Sequence, residues 1–291
     1  IRNPSCTIET AKRTCPMSTT TFELEIKPRR GFQPVNLQEI WLYRELLGFL
    51  AWRDIKVRYK QTALGSLWAV LQPLVAMLIF AVVFTRVATI RTDGPPYALF
   101  VYAGLVPWTF FTNAVSLSGN SLIGNEQMIR KTYFPRVLIP LAIIIALVLD
   151  MLISFGFVAV LLLYYHWPVT LGLLTLPLFL LGAFLASSGL GLFLSAMNVR
   201  YRDIKYVIPF FTQMALFVTP VIYPMRYVPA KFRTVLALNP MTGIIEGFRH
   251  ALLGSSVSWT LVAASLGIST GIFVAGLYYF RAMERTFSDV I

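Results

Sequence analysis

Asp150 is the single charged residue in the run 137–165, with Leu149 and Met151 on either side. A carboxylate so placed would relay a proton or accept hydrogen bonds from Ser or Thr of adjoining helices. Relays usually employ several such groups, which favours the second role. Aromatic side chains come next. Phe100, Tyr102, Trp108, Phe110, Phe111, Phe210, Phe211 and Phe217 fall inside long apolar runs. Aromatic faces there would take the C–H faces of sugar rings without needing charge, though each residue singly also fits lipid contact. Glu246, Arg249 and His250 stand close together but form a weak set for catalysis. No GxxxxGK[ST], GxGxxG or HExxH motif occurs, so no energy-coupling or metal-hydrolase site is legible. Two histidines (His166, His250) and two cysteines (Cys6, Cys15) are too few for a metal or thiol site.

The elements that must position these residues are helices in a membrane. Residues 64–85, 96–125, 167–199, 206–225 and 251–280 contain no Asp, Glu, Lys or Arg. Crossing about 30 Å of hydrocarbon takes roughly 20 mostly apolar residues. Only helices or closed barrels satisfy the backbone there, and the runs are continuous rather than alternating. Composition agrees: 57% hydrophobic and 13% charged, against roughly 25% charged in soluble domains, with a mean hydropathy of +0.69. The expected fold is an all-α polytopic membrane protein with six spans, at about 64–88, 96–120, 137–165, 170–198, 206–223 and 257–280.

The net charge of +12 does not point to nucleic acid, because most basic residues sit between spans. Sixteen fall on one side of the expected topology and six on the other, which puts both termini in the cytoplasm. Residues 36–62 read as an amphipathic helix in the inner headgroup region, serving as an anchor or as a docking element. Residues 122–136 read as a short amphipathic helix in which Glu126 precedes Arg130 by one turn and Met128 and Ile129 are exposed. Residues 228–255, with Pro229, Pro240 and Gly243, read as a pair of short re-entrant or interfacial helices. Residues 1–35 form an extension, and Met17 is the expected natural start, so that 1–16 are an added stretch.

Five segments carry a family resemblance: WRDIKVRYKQTALGSLWAVLQPL (52–74), MIRKTYFPRVLIP (128–140), SAMNVRYRDIKYVIPFFTQMALFVTPVIYP (195–224), LNPMTGIIEGFRHALLG (238–254) and FRAMERTFSDVI (280–291). Together, in this order, they resemble the permease of type-2 ABC exporters, in the branch that exports O-antigen, teichoic acid and capsule. The likeness covers residues 36–291 and leans toward O-antigen export.

The resemblance implies a transport permease rather than an enzyme, in a bacterial cytoplasmic membrane. It implies pairing with a second copy and with two copies of a separate ATPase that binds ATP and Mg, leaving no cofactor in this chain. The substrate implied is undecaprenyl-pyrophosphate-linked polysaccharide. Residues 36–62 become the interface helix, and 122–136 the coupling helix, with Glu126, Gln127, Met128, Ile129, Arg130 and Lys131 docking the ATPase. Residues 228–255 become outer gate helices, and the eight aromatics line the channel. Arg53, Lys56, Arg58 and Lys60 would meet the lipid pyrophosphate on the inner side, and Arg226, Arg233 and Arg249 on the outer side. A membrane-embedded enzyme of glycan assembly is the reading from another class.

Overall fold

The structure, a computed structural model, describes residues 41–60, 65–86, 94–132, 134–284 and 287. The expectations for residues 1–35, and for the ends of the interface helix at 36–40 and 61–62, lie outside these. Among the described residues every regular element is helical. The order is α1 (Arg44–Lys60), α2 (Leu67–Arg86), α3 (Tyr97–Gly119), α4 (Ser121–Gly124), α5 (Glu126–Lys131) and α6 (Leu138–Tyr164). After these come α7 (Leu176–Arg200), α8 (Ile204–Val218), α9 (Ala230–Ala237), α10 (Pro240–Leu253) and α11 (Trp259–Met283).

Five of these helices, α2, α3, α6, α7 with the 3₁₀ turn before it, and α11, are long and apolar enough to cross a membrane. Each coincides with an expected span. The sixth expected span, 206–223, corresponds to α8, which has only 15 residues. At 1.5 Å per residue it rises about 22 Å, short of the hydrocarbon thickness. The apolar run continues to Tyr223, but the helix does not, because Pro220 disfavours helical geometry at the residue before it. Thr219 is accordingly extended, with φ −80° and ψ 137°.

The region 228–255 folds as the expected two helices. Pro229 precedes α9, and Asn239 caps α10 by accepting a 3.0 Å bond from the Met241 amide. Pro240 opens the first turn of α10 without loss of a needed donor. Gly254 ends it in the left-handed conformation, φ 68°, which costs glycine little.

α3 is the axis of the bundle. Leu99, Val101, Tyr102, Ala103, Ala114 and Val115 are fully buried, and α2, α6, α7 and α10 pack around it. α7 and α11 form the closest pair: a Cβ at Gly189 would fall 2.5 Å from the Phe273 amide nitrogen and 2.6 Å from the Ile272 carbonyl oxygen. The small-residue run SSGLG therefore brings two backbones into contact, the means by which helices associate where lipid is as apolar as leucine. A second cluster gathers Leu50, Ala51, Ile129, Phe134, Leu138, Leu192, Phe280 and Phe287 at the end of the bundle where the basic loops lie.

α1 was expected to lie along the membrane surface with one basic face. It packs along α6. Leu50 and Ala51 are buried in the cluster that holds Val137–Ala142, while Arg58 meets Asp150, farther along α6. Its exposed side mixes Trp41, Phe49, Trp52 and Val57 with Arg44, Lys56 and Lys60. Cations and apolar groups share one surface, so the helix is not divided into two clean faces.

Candidate functional site

Asp150 is in the middle of α6, and its two carboxylate oxygens are both engaged by the last turn of α1. Arg58 Nη1 lies 2.5 Å from Oδ2, and the Tyr59 hydroxyl donates to Oδ1. The ion pair is mostly sequestered, with side chains 29% and 18% exposed. A charge in mid-helix is costly unless paired, and here the neighbouring helix supplies both a cation and a neutral donor. Burial, then the hydrogen bond to Asp150 and its charge, push the Tyr59 phenol above its usual range. It therefore remains a donor at neutral pH. One turn further on, the Ser154 hydroxyl lies 2.8 Å from the Ala69 carbonyl oxygen and 2.9 Å from that of Asp150, tying the start of α2 to α6. The expected bonding of Asp150 to Ser or Thr across helices is thus replaced by an Arg–Tyr pair.

These contacts border a cleft of about 260 Å³ between α2, α3 and α6. Trp68, Gln72, Thr109, Phe110 and Asn113 form its other walls. Sequence reasoning missed Tyr59, Gln72, Thr109, Asn113 and Ser154. It surveyed charges, whereas uncharged polar residues inside otherwise apolar spans were the signal that could have found them.

The eight aromatics do not come together. Phe100, Tyr102, Trp108, Phe110 and Phe111 on α3 are at most 8% exposed and build the core. Phe210, Phe211 and Phe217 on α8 are 64%, 49% and 60% exposed, beside Tyr206 and Met214. α8 is held to the bundle along a narrow edge through buried Ile208 and Thr212, which leaves its aromatic side open.

The basic residues also separate. Arg53 bonds Asp54 at 2.8 Å and Asn125 at 3.2 Å, joining α1 to the bend between α4 and α5. Lys56 and Lys60 are exposed, the former over the Trp52 ring. Arg226 stacks on Tyr227, and Arg233 donates to the Val228 carbonyl at 3.0 Å.

Arg249 departs from expectation. It was assigned to a lipid phosphate, yet it is 0% exposed. Its guanidinium donates to the carbonyls of Pro220 at 2.8 Å, Val221 at 2.6 Å and Phe100 at 3.4 Å, and to Glu246 at 2.9 Å. It also lies 3.7 Å from the Phe100 ring centroid. Gly104 makes the room, since a Cβ there would sit 2.8 Å from Nη2. The chain bent open after α8 leaves carbonyls without partners, and a planar five-donor fork satisfies them. Arg249 is thus a clamp between α10, α3 and the segment after α8, with no surface to offer a ligand.

On α5, the Glu126–Arg130 pair forms at 2.7 Å as the spacing suggested. Met128 and Ile129 were expected to protrude. Ile129 is instead 9% exposed within the second cluster, and Met128 is half-buried against Arg53. A short amphipathic helix beside an apolar cluster turns its apolar residues inward. Gln127, Arg130 and Lys131 remain exposed. Among the described residues no group of three His, Cys, Asp or Glu gathers as a metal site.

Residues 45–253 match the family model described as ABC-2 type transporter. An O-antigen export system permease protein of Klebsiella pneumoniae is 30% identical over 250 residues, 85% of this chain and 95% of the relative. One of the same description from Myxococcus xanthus is 29% identical over 238 residues, 79% and 90% of the two chains. The polysialic acid transport protein of Escherichia coli is 23% identical over 265 residues, 88% and 97%. With its five long apolar helices, this chain is a multi-pass protein of the cytoplasmic membrane.

Proposed function

Because the chain belongs to the ABC-2 type transporter family, we propose that it is the permease of an ATP-driven exporter that carries lipid-linked polysaccharide, O-antigen foremost, outward across the cytoplasmic membrane. The observation that carries this reading is the likeness to an O-antigen export permease over 95% of that relative's length. Likeness to the polysialic acid transport protein over 97% of its length supports capsule polysaccharide as the second substrate class.

In this reading the glycan is borne on undecaprenyl pyrophosphate, and two copies of the chain pair with two copies of a separate ATPase that binds ATP and Mg. Both termini face the cytoplasm. α8 completes a sixth crossing by continuing as extended chain beyond Val218, and α9 with α10 form the outer gate. Residues 36–291 make up the transmembrane domain. Phe210, Phe211 and Phe217 line the path between copies, braced from behind by the aromatics of α3. Lys56 and Lys60 meet the pyrophosphate on the inner side, beside Arg53 and Arg58, and Arg226 and Arg233 meet it outside. The exposed side of α5 seats on the ATPase. Catalysis by the Glu246, Arg249 and His250 set loses support because the Arg249 guanidinium is bound to three carbonyls and Glu246.

Depleting the chain in its host tests the reading. Full-length lipid-linked glycan should accumulate on the cytoplasmic side and vanish from the surface. Short or missing glycan would instead identify an enzyme of glycan assembly.

A further inference from the structure

The cleft between α2, α3 and α6 presents side chains that the fold itself does not use. Gln72 and Asn113 make no side-chain hydrogen bond among the described residues, and neither does the Thr109 hydroxyl, yet all three border one opening. They belong to helices that cross the membrane. There an amide or hydroxyl turned to lipid carries a desolvation penalty that a hydrophilic occupant would remove. The charged groups at the rim are matched to each other, because Arg58 and Asp150 form an ion pair that Tyr59 completes. The cleft therefore presents little net charge and favours a neutral, hydroxyl-rich guest over an anion.

Its size narrows the guest further. A volume of about 260 Å³ lies just under the roughly 300 Å³ at which pockets for drug-sized molecules begin. That suits one sugar ring rather than several. Trp68, 54% exposed, gives the same opening an aromatic wall, which is the surface that the C–H side of a pyranose prefers.

We propose that this cleft is a subsite for a single neutral sugar residue of the translocating glycan, with Gln72, Thr109 and Asn113 meeting its hydroxyls and Trp68 facing its ring. This rests on the exporter reading and adds to it a binding position inside one copy of the chain. The subsite would hold successive sugars weakly, since neutral hydrogen bonds give modest net affinity, and a polymer that must slide requires weak holding.

The test uses the permease purified with its ATPase in lipid nanodiscs. The probe is a radiolabelled oligosaccharide cut free of lipid from the host's own exported polymer. The wild-type complex should bind it, and the double variant Gln72→Leu, Asn113→Leu should bind it about tenfold more weakly, with unchanged assembly and melting temperature. Unchanged affinity in that variant would overturn the subsite.

Should the double variant fail to assemble, Asn113→Cys in a Cys6→Ser, Cys15→Ser background decides the matter. Labelling by a small water-soluble maleimide, blocked by the oligosaccharide, supports the proposal. No labelling, labelling that the sugar does not block, or blocking by inorganic pyrophosphate alone sinks it, the last assigning the cleft to a headgroup. The exporter reading fails separately, by the fate of glycan on depletion of the wild-type chain.

Discussion

Arg249 illustrates how a residue's neighbours reassign it. In the sequence it is one of the cations outside the densest basic loops. In the fold its guanidinium closes the gap left where Pro220 ends α8, bonding the carbonyls of Pro220, Val221 and Phe100. Arg249→Lys keeps the charge and loses the fork, so at least two buried carbonyls lose their partner. Thermal unfolding in detergent should show a loss of about 2–4 kcal/mol; an unchanged melting temperature would remove the clamp. Asp150 is read the same way. Breaking its pair with Arg58 by Asp150→Leu leaves a largely sequestered cation, whereas adding Arg58→Leu removes that cation too. A double-mutant cycle on stability should give a coupling of about 1–3 kcal/mol. Additive single effects would mean that the two groups meet without energetic consequence.

Among the elements, the α7–α11 pair is the contact most exposed to single substitutions. The backbone atoms of Ile272 and Phe273 that face Gly189 cannot rotate away as a side chain could. Gly189→Ala should therefore cost about 1–3 kcal/mol through overpacking, measured as a lowered melting temperature. Gly267→Ala on α11, where no neighbouring element lies within 4 Å of the new methyl, should leave it unchanged or raise it slightly, since alanine favours the helix. α8 is the contrasting element. Its narrow attachment and open aromatic side make it the helix whose environment the rest of this chain defines least.

At the scale of the whole molecule, the proposed docking surface narrows to the exposed side of α5. Ile129 belongs to the cluster that joins α1, α5, α6 and α7, so its loss would disturb folding. The exposed cations Arg130 and Lys131 are free of that duty. Arg130→Glu with Lys131→Glu should abolish copurification of the ATPase while the permease itself remains folded. Normal assembly and export with both charges reversed would remove α5 from the docking role.

The five long helices, the paired short helices of 230–253 and the basic asymmetry were legible in the sequence. Charge-free length, proline and glycine punctuation and the spacing of Glu126 and Arg130 are local properties, set by backbone geometry and by the cost of a charge in hydrocarbon. What Asp150 pairs with, which aromatics are core, where Arg249 points and how Gln72, Thr109 and Asn113 converge were decided only by the tertiary structure. Each depends on a partner distant in the sequence: Arg58 for Asp150, Pro220 and Val221 for Arg249. A helical pattern specifies which residues share a face, but not which neighbour that face will meet.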